Sequence, residues 1–328
     1  MRATWREGRI SYYPGISSQT GDSVTFSRRE WLQLAALAAA ESLVPFELSA
    51  AVRKDPDRER LLSWTAVLRS EQLSGPERTL GRSAIRAGEL ARGTPYQAAT
   101  LEAYIRAGGS PRAEPLTLSL TRFDCVTLVE GCLAVARVAA TTETPTWRRF
   151  GHEVERMRYR QGERRGYGSR LHYFSEWISD GAERGLVKDL GPELGAVEDT
   201  RPLRFMTEHR GSYPALADQQ VYREIQAMER SLDGRPRRIV PAKCLPGVVD
   251  LIQSGDVLGF ATEIQGLDAT HAAFAHRGED GVLRVLHAPL SGGVVQISHT
   301  TLPEYVAAIH HATGILVARP LQRPTSPS

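Results

Sequence analysis

Cysteine is scarce and odd in number: Cys125, Cys132 and Cys244 are the only three in 328 residues. A disulfide-stapled fold is therefore a poor fit. Seven positions separate Cys125 from Cys132, which on one helix is roughly 10 Å, beyond the reach of a disulfide. At least one thiol stays free, and a free thiol invites the question of whether it works. Charge of one sign is missing as well, since 41 basic residues offset 38 acidic ones to leave +3. With no basic block or acidic tail, nucleic acid is not an expected partner. The longest apolar stretch, Leu32 to Ala40, is too short to span a bilayer, which takes about 20 residues. There is no His-Glu-x-x-His helix, no Cys-x-x-Cys pair, no Gly-x-Ser-x-Gly elbow and no Gly-x-Gly-x-x-Gly loop. His271, His276, His287 and the pair His310-His311 thus lack a zinc-site spacing, so no metal or cofactor is expected.

What is present begins with a leader. Ser27-Arg28-Arg29-Glu30-Trp31-Leu32-Gln33 precedes the alanine-rich run, and small residues follow at Ser49-Ala50-Ala51. Paired arginines before a mildly apolar segment resemble a twin-arginine export signal, so residues 1–51 are read as leader and the protein as periplasmic or extracytoplasmic. An amphipathic helix with a basic start is the plainer reading, and Glu41 favours it. A start at Val24 would bring the arginines close to the N-terminus.

From Asp55 the pattern is mixed. Asp55-Pro56 predicts a helix through Leu68, and Ser74-Gly75-Pro76 opens another to Leu90. Leu116, Leu118 and Leu120 alternate with polar residues and predict a brief extended segment. Strands are expected at Val257 to Phe260, Ala272 to Ala275, Val282 to His287, Val294 to Ile297 and Ile315 to Ala318, with a helix at Leu302 to His310. Helices first and an antiparallel sheet later is an α+β order. The expected organisation is an N-terminal helical part over 52–115, a catalytic domain over 116–322 and a disordered tail over 323–328.

The chemistry centres on Arg122-Phe123-Asp124-Cys125-Val126-Thr127-Leu128-Val129-Glu130. Asp124 is a good N-cap, and the apolar positions after it mark a buried helix that places Cys125 in its first turn. There the helix dipole and unbonded amides favour a thiolate and can hold an oxyanion. A small apolar core residue is the alternative, and Cys132 is of that kind. Asp268-Ala269-Thr270-His271 leads into one strand and the loop Glu279-Asp280-Gly281 turns it into a second that ends at His287. With a three-residue loop His287 faces Ala273, and His271 lies diagonally on the same face. His287 then orients His271; a loop of even length would separate them.

Gly93-Thr94-Pro95-Tyr96, Phe123-Asp124-Cys125, Ser254-Gly255-Asp256-Val257-Leu258-Gly259-Phe260, His271 and His287 occur in the order of the NlpC/p60 cell-wall cysteine peptidases, which this set of residues resembles. Tyr167-Gly168-Ser169-Arg170-Leu171-His172-Tyr173 and Trp177-Ile178 are similar to the amidase-like family within it, formerly a domain of unknown function. The resemblance implies a papain-like fold, Cys125 as nucleophile, His271 as base, His287 as the orienting residue, and cleavage between N-acetylmuramic acid and L-alanine. The chain departs at Leu128, where an aromatic residue is usual, and in its twin-arginine leader.

Arg170, His172, Tyr173 and Trp177 are the candidates for substrate contact, since guanidinium and aromatic groups suit stem carboxylates and the sugar face. Tyr96 and Asp124 complete that set. Arg158, Arg160, Arg164 and Arg165 are read as solvated surface. The expected partners are soluble muropeptides, met as a monomer. The alternatives are cleavage between D-glutamate and the diamino acid, peptidyl transfer by the same thiol, and a wall-binding module without catalysis.

Overall fold

In the computed structural model, which describes residues 55–73, 79–290 and 293–322, local sequence chemistry sets the first elements. Asp55 accepts from the Asp57 and Arg58 amides at 3.1 and 3.4 Å, and Pro56 has no amide to lose, so helix α1 runs Pro56–Ser70. Helix α2, Leu80–Leu90, follows; the start foreseen at Ser74-Gly75-Pro76 falls outside the described residues, as do the twin-arginine segment and the tail.

Helix α3, Cys125–Ala139, is buried at every position from Leu128 to Ala139. A helix apolar on all sides must be surrounded. Around α3 lie α1, α2, helix α4 (Trp147–Arg158) and the sheet. Three more helices complete the long set: α5 Phe174–Glu183, α6 Gln219–Ser231 and α7 Leu302–Ala308. Thr301 and Glu304 cap α7 with reciprocal hydrogen bonds.

The strands are β1 Val187–Asp189, β2 Val197–Asp199, β3 Arg237–Pro241, β4 Val257–Thr262, β5 Ala269–Arg277, β6 Leu283–His287, β7 Gln296–Ile297 and β8 Ala312–Pro320. They form one antiparallel sheet in the order β2-β3-β8-β4-β5-β6-β7, with β1 also on β8. This is the α+β class expected from the sequence. Strand β4 is buried at all six positions because both faces of the sheet are covered. Val257, Ala272 and Phe274 meet the helices, and Leu258, Phe260, Ala273 and Ala275 meet α7 and the turns near Leu245.

Gly255, just before β4, has φ +92°, and a Cβ there would lie 2.1 Å from the Gly81 carbonyl oxygen. Only glycine fits that approach of β4 to α2. Asp256 beside it is 2% exposed and pairs with Arg319 at 2.8 Å, locking the start of β4 to β8.

Leu116 to Leu120 pair in no ladder among the described residues, and the Leu120 amide is taken by Asp57 Oδ1 at 2.6 Å. One expectation fails. Arg158 is 3% exposed, held by Glu130 Oε2 at 2.7 Å, and so is not surface. Arg160 and Arg164 pair with Glu176 and Glu155 at 2.6 and 3.0 Å. A third apolar cluster, joining Leu203, Phe205, Leu216, Val221 and Ile225 to Tyr167 and Tyr173, braces the segment ahead of α5.

Candidate functional site

Cys125 is the first residue of α3. Asp124 Oδ1 accepts from the Thr127 amide at 2.8 Å, and Thr127 Oγ1 accepts from the Asp124 amide at 2.8 Å. This reciprocal cap fixes the turn that carries the thiol. The Ala272, Val126 and Cys125 amides donate toward the sulfur and favour its charged form. Burial works against them, with the Asp124 carboxylate next, and pushes the thiol up to about 12. The free site therefore holds a thiol, where the sequence led us to expect a thiolate. Cys132 is fully buried and Cys244 exposed.

Strands β5 and β6 pair Phe274 with Leu286 and Arg277 with Leu283, which continues to Ala273 opposite His287. Gly281, at φ +74°, supplies the left-handed residue of the three-residue loop. The foreseen register holds. His271 Nε2 lies 2.9 Å from His287 Nδ1, with the rings edge-on at 76°. His271 stacks on Phe260 at 5.6 Å. Burial, then the His287 ring, holds His271 well below the ordinary histidine value, and burial brings His287 down to about 4. Both rings are neutral at physiological pH.

Cys125 and His271 line one cleft of about 110 Å³ with Val126, Leu171, His172, Phe174, Trp177 and Thr270. Phe174 and Trp177 stack at 5.5 Å on its wall. Trp177 Nε1 and Thr270 Oγ1 are buried without a hydrogen-bond partner among the described residues. His172 Nε2 lies 2.9 Å from the Tyr167 carbonyl oxygen, and burial with the nearby Arg170 charge keeps this ring neutral too. Tyr96 is half-buried beside the thiol, pushed up to about 12 by burial and then by Cys125 and Asp124.

Two candidates are not at the cleft. Arg170 is 5% exposed and turned to Glu102 at 2.6 Å and Glu114 at 3.7 Å, with its guanidinium 4.5 Å over the Tyr167 ring. Tyr173 is buried and donates to Glu229 at 2.7 Å. Asp124 serves as the cap. The other histidines of the sequence reading lie apart: His276 meets Glu89 and His311 meets Glu263, at 2.9 and 2.7 Å.

Sequence reasoning missed two residues. Tyr305 of α7 places its hydroxyl 3.1 Å from His287 Nδ1. Asp268 accepts from the Ser175 amide at 2.7 Å and so ties the start of β5 to the first turn of α5. Asp268 stood in the motif before His271, but nothing in its spacing named Ser175 as its partner.

Comparison with known proteins bears on this geometry. Residues 86–315 match the AmiA-like family, described as N-acetylmuramoyl-L-alanine amidase-like. No curated protein matches the chain. Among solved structures, an N-acetylmuramoyl-L-alanine amidase from Bacteroides uniformis is similar with a TM-score of 0.67 and 27% identity, over 74% of this chain and 99% of that one. A protein from Bacteroides fragilis, provisionally named a xylanase, gives 0.65 and 30% identity over 71% and 99%. A Legionella pneumophila protein shares the fold, with a TM-score of 0.59 at 17% identity over 83% and 97%. With the family match spanning more than half its length, this chain belongs to the N-acetylmuramoyl-L-alanine amidase-like family.

Proposed function

We propose that this protein is a papain-like cysteine amidase of the NlpC/p60 type that hydrolyses the N-acetylmuramoyl to L-alanine bond of peptidoglycan fragments. The observation that carries the reading is the cleft that brings together Cys125, on a capped helix start, and His271, whose Nε2 is engaged by His287 at 2.9 Å. That engagement assigns exchange with the thiol to His271 Nδ1. The thiol proton passes to this nitrogen as sulfur attacks the lactyl carbonyl carbon, and the Cys125 and Val126 amides at the helix start, which in the free site donate toward the sulfur, supply donors for the developing charge. The C–N bond breaks, His271 returns the proton to the alanine nitrogen, and the peptide leaves. Water, deprotonated by His271, then cleaves the thioester and frees the muramic carboxylate.

Because both partners are neutral at rest, the proton moves with the attack rather than before it. The buried site favours this path over an ion pair. The amidase name of the Bacteroides uniformis relative supports the bond assignment. Hydrolysis of a glycosidic bond fits less well, since it needs two carboxylates flanking the bond. Here Asp124 and Asp268 are occupied by the Thr127 and Ser175 amides. The reading includes action outside the cytoplasm, with export through the segment around Arg28-Arg29.

Defined soluble muropeptides, incubated with the protein and with Cys125→Ser, test it by mass. Free peptide beginning with L-alanine, absent with the variant, is expected. A muramoyl dipeptide with no free muramic sugar would overturn the bond assignment. Turnover in Cys125→Ser equal to wild type would overturn the mechanism.

A further inference from the structure

Two hydrogen-bonding groups meet at one nitrogen. His287 Nδ1 lies 2.9 Å from His271 Nε2 and 3.1 Å from the Tyr305 hydroxyl. The remaining nitrogen of the ring, His287 Nε2, is buried and has no partner among the described residues. His287 is neutral, so its single ring proton sits on one nitrogen or the other.

If the proton sat on Nδ1, it would be shared between His271 Nε2 and the Tyr305 oxygen. The part-buried Tyr305 O–H would then have no acceptor at this nitrogen, and the lone pair of the buried His287 Nε2 would be unpaired as well. If the proton sits on Nε2, both His271 Nε2–H and Tyr305 O–H donate to Nδ1, and only the His287 Nε2–H lacks a partner. The second arrangement makes one hydrogen bond more, that of the Tyr305 hydroxyl, and leaving it unmade in this largely enclosed cluster is costly. It also puts the His271 proton on Nε2, which leaves its Nδ1 lone pair as the base.

We propose that Tyr305 is a positioning residue that, by donating its hydroxyl proton to His287 Nδ1, holds His271 in the Nε2–H tautomer able to accept the Cys125 proton. The inference rests on the cysteine amidase reading for its catalytic consequence but not for its geometry. Tyr305 is held for this task. Its ring lies 5.3 Å from Phe260, which itself stacks on His271, and stands edge-on to His287 at 86°. The capping box at Thr301 and Glu304 fixes the turn of α7 that presents it. Tyr305→Phe keeps those ring contacts and removes only the hydroxyl.

Long-range nitrogen–proton NMR on the full chain, with labelled histidines, reads which ring nitrogen carries each proton. The wild type is expected to show Nε2–H on both His271 and His287, and Tyr305→Phe to show a population of Nδ1–H on His271. For comparison, loss of the correct histidine tautomer in a serine protease triad lowers turnover by about 10⁴-fold. Partial loss here is expected to lower kcat about tenfold or more with KM unchanged. An Nδ1–H wild-type His271, or Tyr305→Phe with Nε2–H on His271 and full kcat, would overturn the proposal. The wild-type spectrum decides the first point even if the variant does not fold. Absence of amidase turnover in wild type with the Nε2–H tautomer in place would defeat the functional reading and leave the tautomer assignment standing.

Discussion

Asp124 does two things to Cys125, and Asp124→Asn separates them. As a cap it accepts from the Thr127 amide and hydroxyl at 2.8 and 2.9 Å, and an asparagine carbonyl can do the same. Asparagine and aspartate are equal N-caps, so stability should change by less than about 0.5 kcal/mol. As a charge, Asp124 is the second cause, after burial, that lifts the thiol to about 12. A unit charge about 5 Å away at an effective dielectric near 20 is worth at most ~3 kcal/mol, and screening at a partly open cleft roughly halves it. Removing it should lower the thiol pKa by about one to two. Thiolate becomes about 10- to 100-fold more abundant, but each thiolate is less nucleophilic, so alkylation should quicken by about 3- to 10-fold. Burial also raises the Asp124 carboxyl. Below its folded pKa wild-type Asp124 is as neutral as asparagine and the two proteins should react alike. Above it only the variant should gain. The assay is iodoacetamide labelling from pH 5 to 10, with peptide mapping to separate Cys125 from exposed Cys244. Equal rates at every pH, with melting temperatures unchanged, would show that the Asp124 charge does not act on the thiol.

The other predictions bear on the base, the wall and the core. His271→Ala should abolish turnover, whereas His287→Ala should only reduce it, and single-turnover rates will tell the two apart. Because burial and His287 hold His271 well below its ordinary value, it stays neutral as pH falls past 6.5. The kcat/KM profile should thus be flat from pH 8 to about 6, and an acid limb centred at the ordinary value of about 6.5 would contradict this. Trp177→Phe keeps the stack on Phe174 and removes the unpaired indole N–H, so kcat/KM on muropeptides should fall by up to about tenfold with stability unchanged. Arg158→Met strands Glu130, and chemical denaturation should show a loss of about 3–5 kcal/mol, mostly recovered in the double variant with Glu130→Met. Burial already raises Glu130; without Arg158 it rises further, so the loss should be largest at pH 8 and shrink as the pH falls and Glu130 takes a proton.

Periodicity and turn chemistry carried the sequence reading where they depend on local rules. The cap at Asp124 and the three-residue loop with Gly281 were legible because each needs a particular residue at a particular offset. From the loop followed the register, and from the register the meeting of His271 with His287. Charge was not legible in the same way. Arg158 and Arg170 look like surface or ligand-binding arginines until Glu130, Glu102 and Glu114 arrive from distant positions to neutralise them. Tyr305 read as one more aromatic in a helix, because a pattern gives the face a residue takes and not the atom its hydroxyl meets. The thiol was misjudged for a related reason. Helix position was visible at Cys125, but the depth of burial that outweighs it comes from the sheet and the cleft wall.

Those buried charges also explain how a cleft built from separate elements keeps its shape. Arg158 joins two of its walls. Its side chain holds Glu130 of α3, the helix that begins with Cys125, and its carbonyl oxygen accepts from the Leu171 amide at 2.9 Å. Leu171 and His172 lie in the cleft, directly after Arg170, whose pairing with Glu102 and Glu114 ties the same segment to the loop ahead of α3. On the far side Asp268 tethers α5, with Phe174 and Trp177, to the strand of His271. The arginines are paired within the protein, so apart from the Asp268 carboxylate, which accepts from the Ser175 and Ala269 amides, what the walls present around Cys125 and His271 is neutral: aromatic rings, Leu171, an imidazole, an indole N–H and a hydroxyl. Such a surface recognises amide groups and apolar faces in preference to free carboxylates. Under the proposed function, the bond to be cut is an amide of that kind, at the junction of a sugar lactyl group with a peptide.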